Sequence, residues 1–172
     1  MHHSEAQLDA VKLKTNSIYV GGFTLIEMII TLAILGVLAT AVFPMGKLAV
    51  QRHKEQELRQ ALQQIRTAID LYKQAADEGR IVRSSDDSGY PKKLVDLVTG
   101  VDNAKDPRSG KIYFLRKIPR DPLADESLPA DATWAKRSYA SPPDQPTEGD
   151  DVFDIHSKSS SLSINGIPYS EW

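Results

Sequence analysis

Apolar residues fill the chain from Phe23 to Phe43, and Glu27 is the only ionisable side chain among them. A helix of about 21 residues, with a rise of about 1.5 Å per residue, spans roughly the 30 Å of a bilayer core. The run therefore predicts a membrane helix over residues 23–45. A carboxylate inside such a helix is unfavourable by about 2 to 3.5 kcal/mol unless a partner neutralises it, which predicts a functional role for Glu27.

Beyond this run the pattern becomes amphipathic, which predicts that the helix continues over residues 46–79. Spacings of four and three residues place one apolar stripe on it, formed by Leu58, Leu62, Ile65, Ile69 and Tyr72. Gly79 is the expected stop. The stripe covers only about two heptads, so packing against the protein's own sheet is favoured over a coiled-coil seam.

The sequence pattern over residues 80–172 predicts one globular domain with short helices and strands. The pattern predicts a helix over Tyr90–Gly100 and strands over Lys111–Leu115, Thr133–Tyr139 and Val152–His156. The proline-rich stretch Ser141–Asp151 should connect the last two strands, and the large Trp172 should anchor the chain end in the core. The predicted fold class is α+β: a long N-terminal helix, half membrane-embedded and half amphipathic, packed on a small antiparallel sheet.

The N-terminal residues carry a specific resemblance. The stretch GGFTLIEMIITLAILGVLATAVFP, which begins at Gly21, resembles the N-terminus of type IV pilins and of type II secretion pseudopilins. The resemblance implies that residues 1–22 are a leader, that prepilin peptidase cleaves between Gly22 and Phe23, and that Phe23 is then N-methylated. It also implies that Glu27 is the family's assembly glutamate. The alternative is a signal anchor in which these residues co-occur by chance.

Cleavage would create a positive amine on Phe23, four residues before Glu27. Residues four apart share a helix face, so the amine could neutralise its own Glu27 or that of a neighbouring subunit. The intermolecular pairing would also set the axial register of a filament. The resemblance further implies that the stretch from Gly36 to Pro44 can lose helicity in a filament, although an ordinary kinked helix is an equal alternative.

A second resemblance lies in the globular domain. The Tyr90–Leu97 segment followed by Ile118–Pro122 resembles the major pseudopilin of type II secretion systems. This implies a single-pass protein of the bacterial inner membrane with a periplasmic domain, which polymerises into a filament supporting protein export across the outer membrane. Its partners would be copies of itself, minor pseudopilins, the prepilin peptidase and the inner-membrane assembly platform. The alternatives are a type IV pilus subunit and a membrane-anchored binding domain that never polymerises.

The net charge and the residue composition limit the kinds of ligand and site that the chain could have. The chain of 172 residues has a formal net charge of −2 and no cysteine. No basic footprint for nucleic acid is therefore expected, nor a disulfide or a cysteine-based metal site. His156 lies near serines and aspartates in sequence, but no nucleophile–base spacing, phosphate loop or metal-ligand pattern accompanies it. We expect no catalytic residues and no enzyme activity.

Basic residues are more numerous after the apolar run than before it. Lys12 and Lys14 precede the run, and four basic residues follow closely: Lys47, Arg52, Lys54 and Arg59. The positive-inside rule alone would place the C-terminal domain in the cytoplasm. Export of this domain is therefore implied by the resemblance and not by the charges.

Many major pseudopilins bind a structural calcium in the loop before the C-terminus. Calcium requires six to eight oxygen ligands, usually with several carboxylates. The corresponding stretch, Ser157–Gly166, has no acidic residue; the nearest acids are Asp150, Asp151, Asp154 and Glu171. The sequence favours a serine-rich loop held by side-chain-to-backbone hydrogen bonds over a calcium site, and we expect no metal ligands and no cofactor.

Overall fold

The computed structural model describes residues 21–106, 108 and 110–172, apart from the side chains of residues 41–45. The chain divides into two compact units, one ending at Val42 and the other spanning Phe43–Trp172, which we call the C-terminal unit. The helices are α1 (Leu25–Asp77) and α2 (Asp96–Thr99), and the strands are β1 (Val101–Asp102), β2 (Lys111–Ile112), β3 (Trp134–Arg137) and β4 (Asp154–Ser157). Two 3₁₀ turns occupy Ala130–Thr133 and Tyr169–Glu171. This arrangement confirms the predicted α+β class.

The C-terminal half of α1 supplies one wall of the core. The predicted stripe is buried, and Leu58 and Ile65 are completely inaccessible to solvent. Small alanines complete this face of the helix and allow other elements to approach it closely, namely Ala61, Ala68, Ala75 and Ala76. The prediction that the stripe packs within its own domain is confirmed.

The end of α1 follows the predicted stop. The amide of Gly79 donates to the carbonyl of Ala76 at 3.0 Å, and that of Arg80 donates to Ala75 at 2.9 Å. Gly79 has φ +69°, the left-handed conformation that glycine adopts without a steric penalty. The two bonds satisfy carbonyls of the last helical turn, as in a Schellman motif.

The helix predicted over Tyr90–Gly100 is shorter than expected, and only Asp96–Thr99 is α-helical. The carbonyl of Pro91 accepts the amide of Val152 at 2.8 Å, so it bonds to a distant part of the chain. The Asp96 carboxylate accepts the amide of Lys93 at 2.9 Å, which caps the turn that precedes the helix. One tertiary hydrogen bond and one local side-chain bond therefore replace the first helical turn.

The strand predicted over Lys111–Leu115 is also shorter than expected. Its first two residues form β2, which pairs antiparallel with β1, a strand that was not predicted. The amides of Phe114 and Leu115 both donate to the carbonyl of Leu97, at 3.0 and 2.9 Å. This bifurcated contact turns the chain towards α2 and ends the strand.

The second antiparallel pair confirms the predicted pairing of the last two strands. In β3 and β4, Trp134 lies opposite Ser157 and Arg137 lies opposite Asp154. Trp134 is completely buried, and its indole Nε1–H donates to the carbonyl of Pro119 at 2.8 Å. Both strands were predicted to begin too early, since Thr133 closes a 3₁₀ turn and Val152 lies before β4. The first also ends earlier than predicted, at Arg137, and the second ends one residue later, at Ser157.

Asp121, within the Ile118–Pro122 segment, is an almost fully buried acid with 2% of its surface exposed. Its carboxylate accepts the hydroxyl of Ser157 at 2.6 Å and the amide of Leu123 at 2.8 Å. Buried carboxylates are tolerated when hydrogen bonds replace their hydration. The segment that resembles the pseudopilin motif therefore connects its own turn to β4.

The chain end packs on α1, as predicted for Trp172. The guanidinium of Arg59 lies 4.6 Å from the centre of the indole ring, and Tyr169 contacts the ring edge-on. Arg66 donates to the carbonyl of Trp172 at 2.6 Å and to the carboxylate of Asp154 at 2.8 Å. One arginine thus connects the helix to both β4 and the last residue.

Candidate functional site

The N-terminus of α1 is capped by a side chain. The hydroxyl of Thr24 accepts the amide of Glu27 at 3.2 Å, and the carbonyl of Thr24 accepts the amide of Met28 at 3.1 Å. These bonds make Thr24 the N-cap, a position that threonine satisfies well because its oxygen replaces a missing helical acceptor. The helix therefore begins directly after Thr24.

The predicted cleavage position lies just outside this cap. Gly21 to Thr24 are exposed and non-helical, and Phe23 retains 77% of its accessible surface. Within the described residues, no atom lies within 4 Å of the position that a Cβ of Gly21 or Gly22 would occupy. The backbone between Gly22 and Phe23 is thus an exposed, non-helical segment that a peptidase can reach.

Glu27 stands in the first turn of α1, and it is exposed. An acid in this turn interacts favourably with the partial positive charge of the helix N-terminus. Phe23 lies two residues before the start of α1 in the uncleaved chain, and the pairing of its amine with Glu27 after cleavage stays a prediction. Among the described residues, no hydrogen bond or ion pair engages the carboxylate of Glu27.

The large apolar residues between Phe23 and Leu38 are uncovered. Each retains between 52% and 80% of its accessible surface. An exposed apolar surface this extensive marks a place where another molecule binds. No helix formed by the described residues is both long enough and apolar enough to cross a membrane.

Gly36 and Pro44 were predicted to bound a flexible stretch. Gly36 lies within α1, and nothing approaches within 4 Å of the position of a Cβ there. Pro44 lies in the helical range, and its side chain is outside the described residues. The loss of helicity between them in a filament stays a prediction.

A second polar site, which sequence reasoning missed, connects α1 to the segment before the C-terminus. The carboxylate of Glu55 accepts the amide of Ile164 at 2.8 Å and the hydroxyl of Tyr169 at 2.9 Å. One turn earlier, the Gln51 amide donates to the carbonyl of Leu162 at 3.1 Å and to the Tyr169 oxygen at 3.0 Å. These residues hold the last loop against the helix.

Glu55 and Arg59 are four residues apart, and this spacing alone predicts an ion pair on the solvated face of α1. The structure corrects this: Glu55 is only 7% exposed, and Arg59 stacks on Trp172. The available signal was its position, since Glu55 lies three residues before the buried Leu58 and so shares the face of the apolar stripe. Nothing in the local sequence indicated that the backbone amide of Ile164 would donate a hydrogen bond to Glu55.

The serine-rich loop carries the side-chain-to-backbone bonds that the sequence favoured. Ser157 and Ser163 accept the amides of Ser159 and Ile167, both at 3.1 Å. The neighbouring acids are engaged separately, Asp154 with Arg66 and Asp151 with Ser138. Within the described part of the chain, no group of three histidine, cysteine or acidic residues could hold a metal ion.

His156 lies in β4, opposite Ala135. Burial lowers the pKa of its imidazole below its ordinary range; Asp154 opposes this effect and Arg66 adds to it. The neutral form is therefore favoured in the folded protein. The surroundings of His156 therefore disfavour a protonated imidazole.

Comparison with known families identifies the N-terminal segment. The profile described as the prokaryotic N-terminal methylation motif matches residues 19–43. No curated protein and no solved structure gave a significant match. The motif is the type IV pilin-like prepilin signal, typical of membrane-anchored precursors that prepilin peptidase processes and that polymerise into filaments. It supports a structural, pilin-like subunit in this broad sense.

Replacing Glu55 tests the polar site that holds the last loop. Glu55→Ala leaves the amide of Ile164 without its acceptor, so we expect a loss of about 1–3 kcal/mol in the free energy of unfolding, measured by urea denaturation. Glu57→Ala is the matched control, because Glu57 is exposed and its ion pair in the described part of the chain is with the exposed His53. The control should change stability by less than about 0.5 kcal/mol. Equal losses in both variants would contradict the assignment.

Acidification should destabilise the fold through His156. Its folded pKa is lowered, so as the pH falls through about 6.5 the unfolded chain takes up a proton that the folded chain binds less readily. Stability therefore declines with falling pH until the folded pKa is passed. We expect His156→Gln to reduce this decline in urea titrations between about pH 8 and pH 5.5. An unchanged decline would show that other groups cause it.

Proposed function

We propose that this chain is a pseudopilin, a subunit that polymerises into the periplasmic pseudopilus of a type II secretion system and so supports protein export across the outer membrane. The observation that carries the proposal is the prepilin signal at residues 19–43, together with the capped and uncovered helix that it opens. Each step of the assembly can be assigned to particular residues of this chain.

Processing is the first step. Prepilin peptidase would cleave between Gly22 and Phe23 and methylate the new amine. The exposed, non-helical backbone there supports this, because a protease binds its substrate as an open chain and not as a helix. The Thr24 cap lies directly after the cleavage position, so cleavage leaves α1 intact.

Polymerisation is the second step. Copies of the chain would pack their apolar helical segments together and bury residues that are largely exposed in a single copy, such as Leu25 and Val37. Phe23 lies outside α1, so its amine is better placed for the Glu27 of another copy than for its own. In an apolar filament core such a pairing removes two uncompensated charges and defines the register.

The location follows from the same residues. Residues 23–45 would insert into the bacterial inner membrane as a single span, with the C-terminal unit in the periplasm. Minor pseudopilins and the inner-membrane assembly platform are the further partners of this proposal. Glu27 would be the one acid in the inserted segment, so its neutralisation accompanies assembly.

The choice of a pseudopilus over a surface pilus rests on the globular domain. Two features of the segments that resemble the major pseudopilin hold its fold: the Pro91 carbonyl accepts Val152, and Asp121 accepts Ser157. A type IV pilus subunit is the second candidate. The last loop favours it, because Glu55 and serines hold this loop without a cluster of carboxylates suited to calcium.

The first test is the mature N-terminus. When the chain is expressed with an active prepilin peptidase, we expect intact mass and N-terminal sequencing to show a chain that begins at N-methylated Phe23. Gly22→Leu should block processing, and Gly21→Ala should leave it unchanged. Wild-type protein that still carries its leader would contradict the proposal and support an anchored, non-polymerising domain.

The second test separates processing from assembly. Glu27→Ala should be cleaved and remain with the membrane fraction, but filaments seen by electron microscopy should fall at least about 10-fold, since an unpaired Phe23 amine stays in the apolar core. Thr31→Ala is a matched control, because Thr31 is exposed in the same helix and bonds only to the Met28 carbonyl. Normal filaments from the Glu27 variant would refute the pairing.

A further inference from the structure

A cluster of basic residues follows the apolar segment and has no role in the proposed assembly. Residues 46–54 contain Lys47, Arg52 and Lys54 and no acidic residue. All three are exposed, and the structure shows no ion pair for them within its described residues. His53 pairs with Glu57 at 3.2 Å, so the nearest exposed acid on the helix is already engaged.

The last loop exposes three aliphatic residues, which we call the apolar tip: Leu162, Ile164 and Ile167. They retain 59%, 38% and 48% of their accessible surface. They surround a tight turn in which the amide of Gly166 donates to the carbonyl of Ser163 at 2.9 Å. Gly166 has φ +78°, a left-handed conformation that glycine adopts without a steric penalty.

The apolar tip is held in place by several bonds. The amide of Ser163 donates to the carbonyl of Ile167 at 2.9 Å, and the hydroxyl of Ser163 accepts the amide of Ile167 at 3.1 Å. Leu162 also forms an antiparallel bridge with Pro168. The aliphatic residues are therefore presented by a preorganised turn.

The tip lies beside the basic cluster on α1. Gln51 contacts the carbonyl of Leu162, and Glu55 contacts the amide of Ile164. Lys47 and Lys54 share the helix face of Gln51 at spacings of four and three residues, as does the exposed Leu48, and Arg52 lies in the same turn of the helix at the flank of this face. Cationic and aliphatic side chains thus occupy one end of the C-terminal unit.

We propose that the apolar tip and the basic cluster form a membrane-docking surface for anionic phospholipid, an inference that rests on the proposed function because residues 23–45 must first insert. The three cations would bind headgroup phosphates, and the aliphatic tip would enter the boundary between headgroups and acyl chains. A surface that combines basic and aliphatic residues directly after a membrane segment matches this chemistry. It also gives a role to the basic residues after the membrane segment, which the positive-inside rule would place in the cytoplasm.

The test uses a fluorophore on the tip of the full chain. Because the chain has no cysteine, Asn165→Cys provides a single labelling position in the turn without removing an aliphatic residue. The labelled protein is reconstituted into vesicles of phosphatidylcholine, with or without phosphatidylglycerol. We expect a blue shift of an environment-sensitive label in the anionic vesicles, which high salt reverses. A label at the exposed Gln145→Cys should not respond.

Variants that remove the basic or the aliphatic side chains test whether these residues form the docking surface. Each basic residue near an anionic surface contributes about fivefold, so Lys47→Gln, Arg52→Gln and Lys54→Gln together should weaken docking about 100-fold. Removing three exposed charges elsewhere, with Lys111→Gln, Arg116→Gln and Lys117→Gln, is the matched control and should have little effect. Leu162→Ser with Ile167→Ser should also abolish the blue shift, while circular dichroism confirms that the variant is folded.

Vesicle flotation separates this inference from the proposed function. Protein that floats with the vesicles but shows no dependence on phosphatidylglycerol would overturn the docking surface alone. Protein that does not float with any vesicle would contradict membrane anchoring, and with it the proposed function. A blue shift that rises with protein density in neutral vesicles would show that a second copy covers the tip, and would also overturn the inference.

Discussion

The fold of the C-terminal unit depends on one face of α1 being buried. Its strands have two or four residues each, and isolated pairs of this length are not stable in water. The α1 stripe, from Leu58 to Ala76, gives these pairs an apolar surface to cover, and Trp134 and Ile155 complete the core against it. Because the chain has no cysteine, no disulfide stabilises this packing. The buried helix face is therefore the main source of stability.

Polar residues at the borders of this face determine which segments cover it. Arg66 contacts β4 and the last residue, while Glu55 contacts the loop between them. Apolar burial is non-directional, so it favours compaction without selecting one arrangement. The hydrogen bonds of these two residues are directional, and they select a single path for the C-terminal segment.

The same helix has a different character before residue 41. Its apolar residues are uncovered, it begins with the Thr24 cap, and residues 21–23 before the cap are exposed and non-helical. One continuous helix thus serves two purposes in the proposed function. Its first part is available for the membrane and for other copies, and its last part is committed to the core of its own unit.

The N-terminal signal could be recognised from sequence because it is local. In the proposed function, cleavage, methylation and assembly would depend on the order of neighbouring residues, as in Gly22, Phe23 and Glu27, and a local order is readable without a fold. The buried stripe of α1 was predicted for the same reason, since a helix converts a spacing of three and four residues directly into a face. The Gly79 stop was likewise predicted from a single residue that adopts a left-handed conformation easily.

The structure alone decided the contacts between distant residues. The predicted helix at Tyr90 lost its first turn because Pro91 bonds to Val152, and the strand at Lys111 ended early because Leu97 accepts two later amides. Glu55 looked like a surface acid until the amide of Ile164 was placed beside it. Local patterns determine which residues form a helix and which face is apolar, whereas hydrogen bonds across more than 100 residues depend on how the whole chain packs.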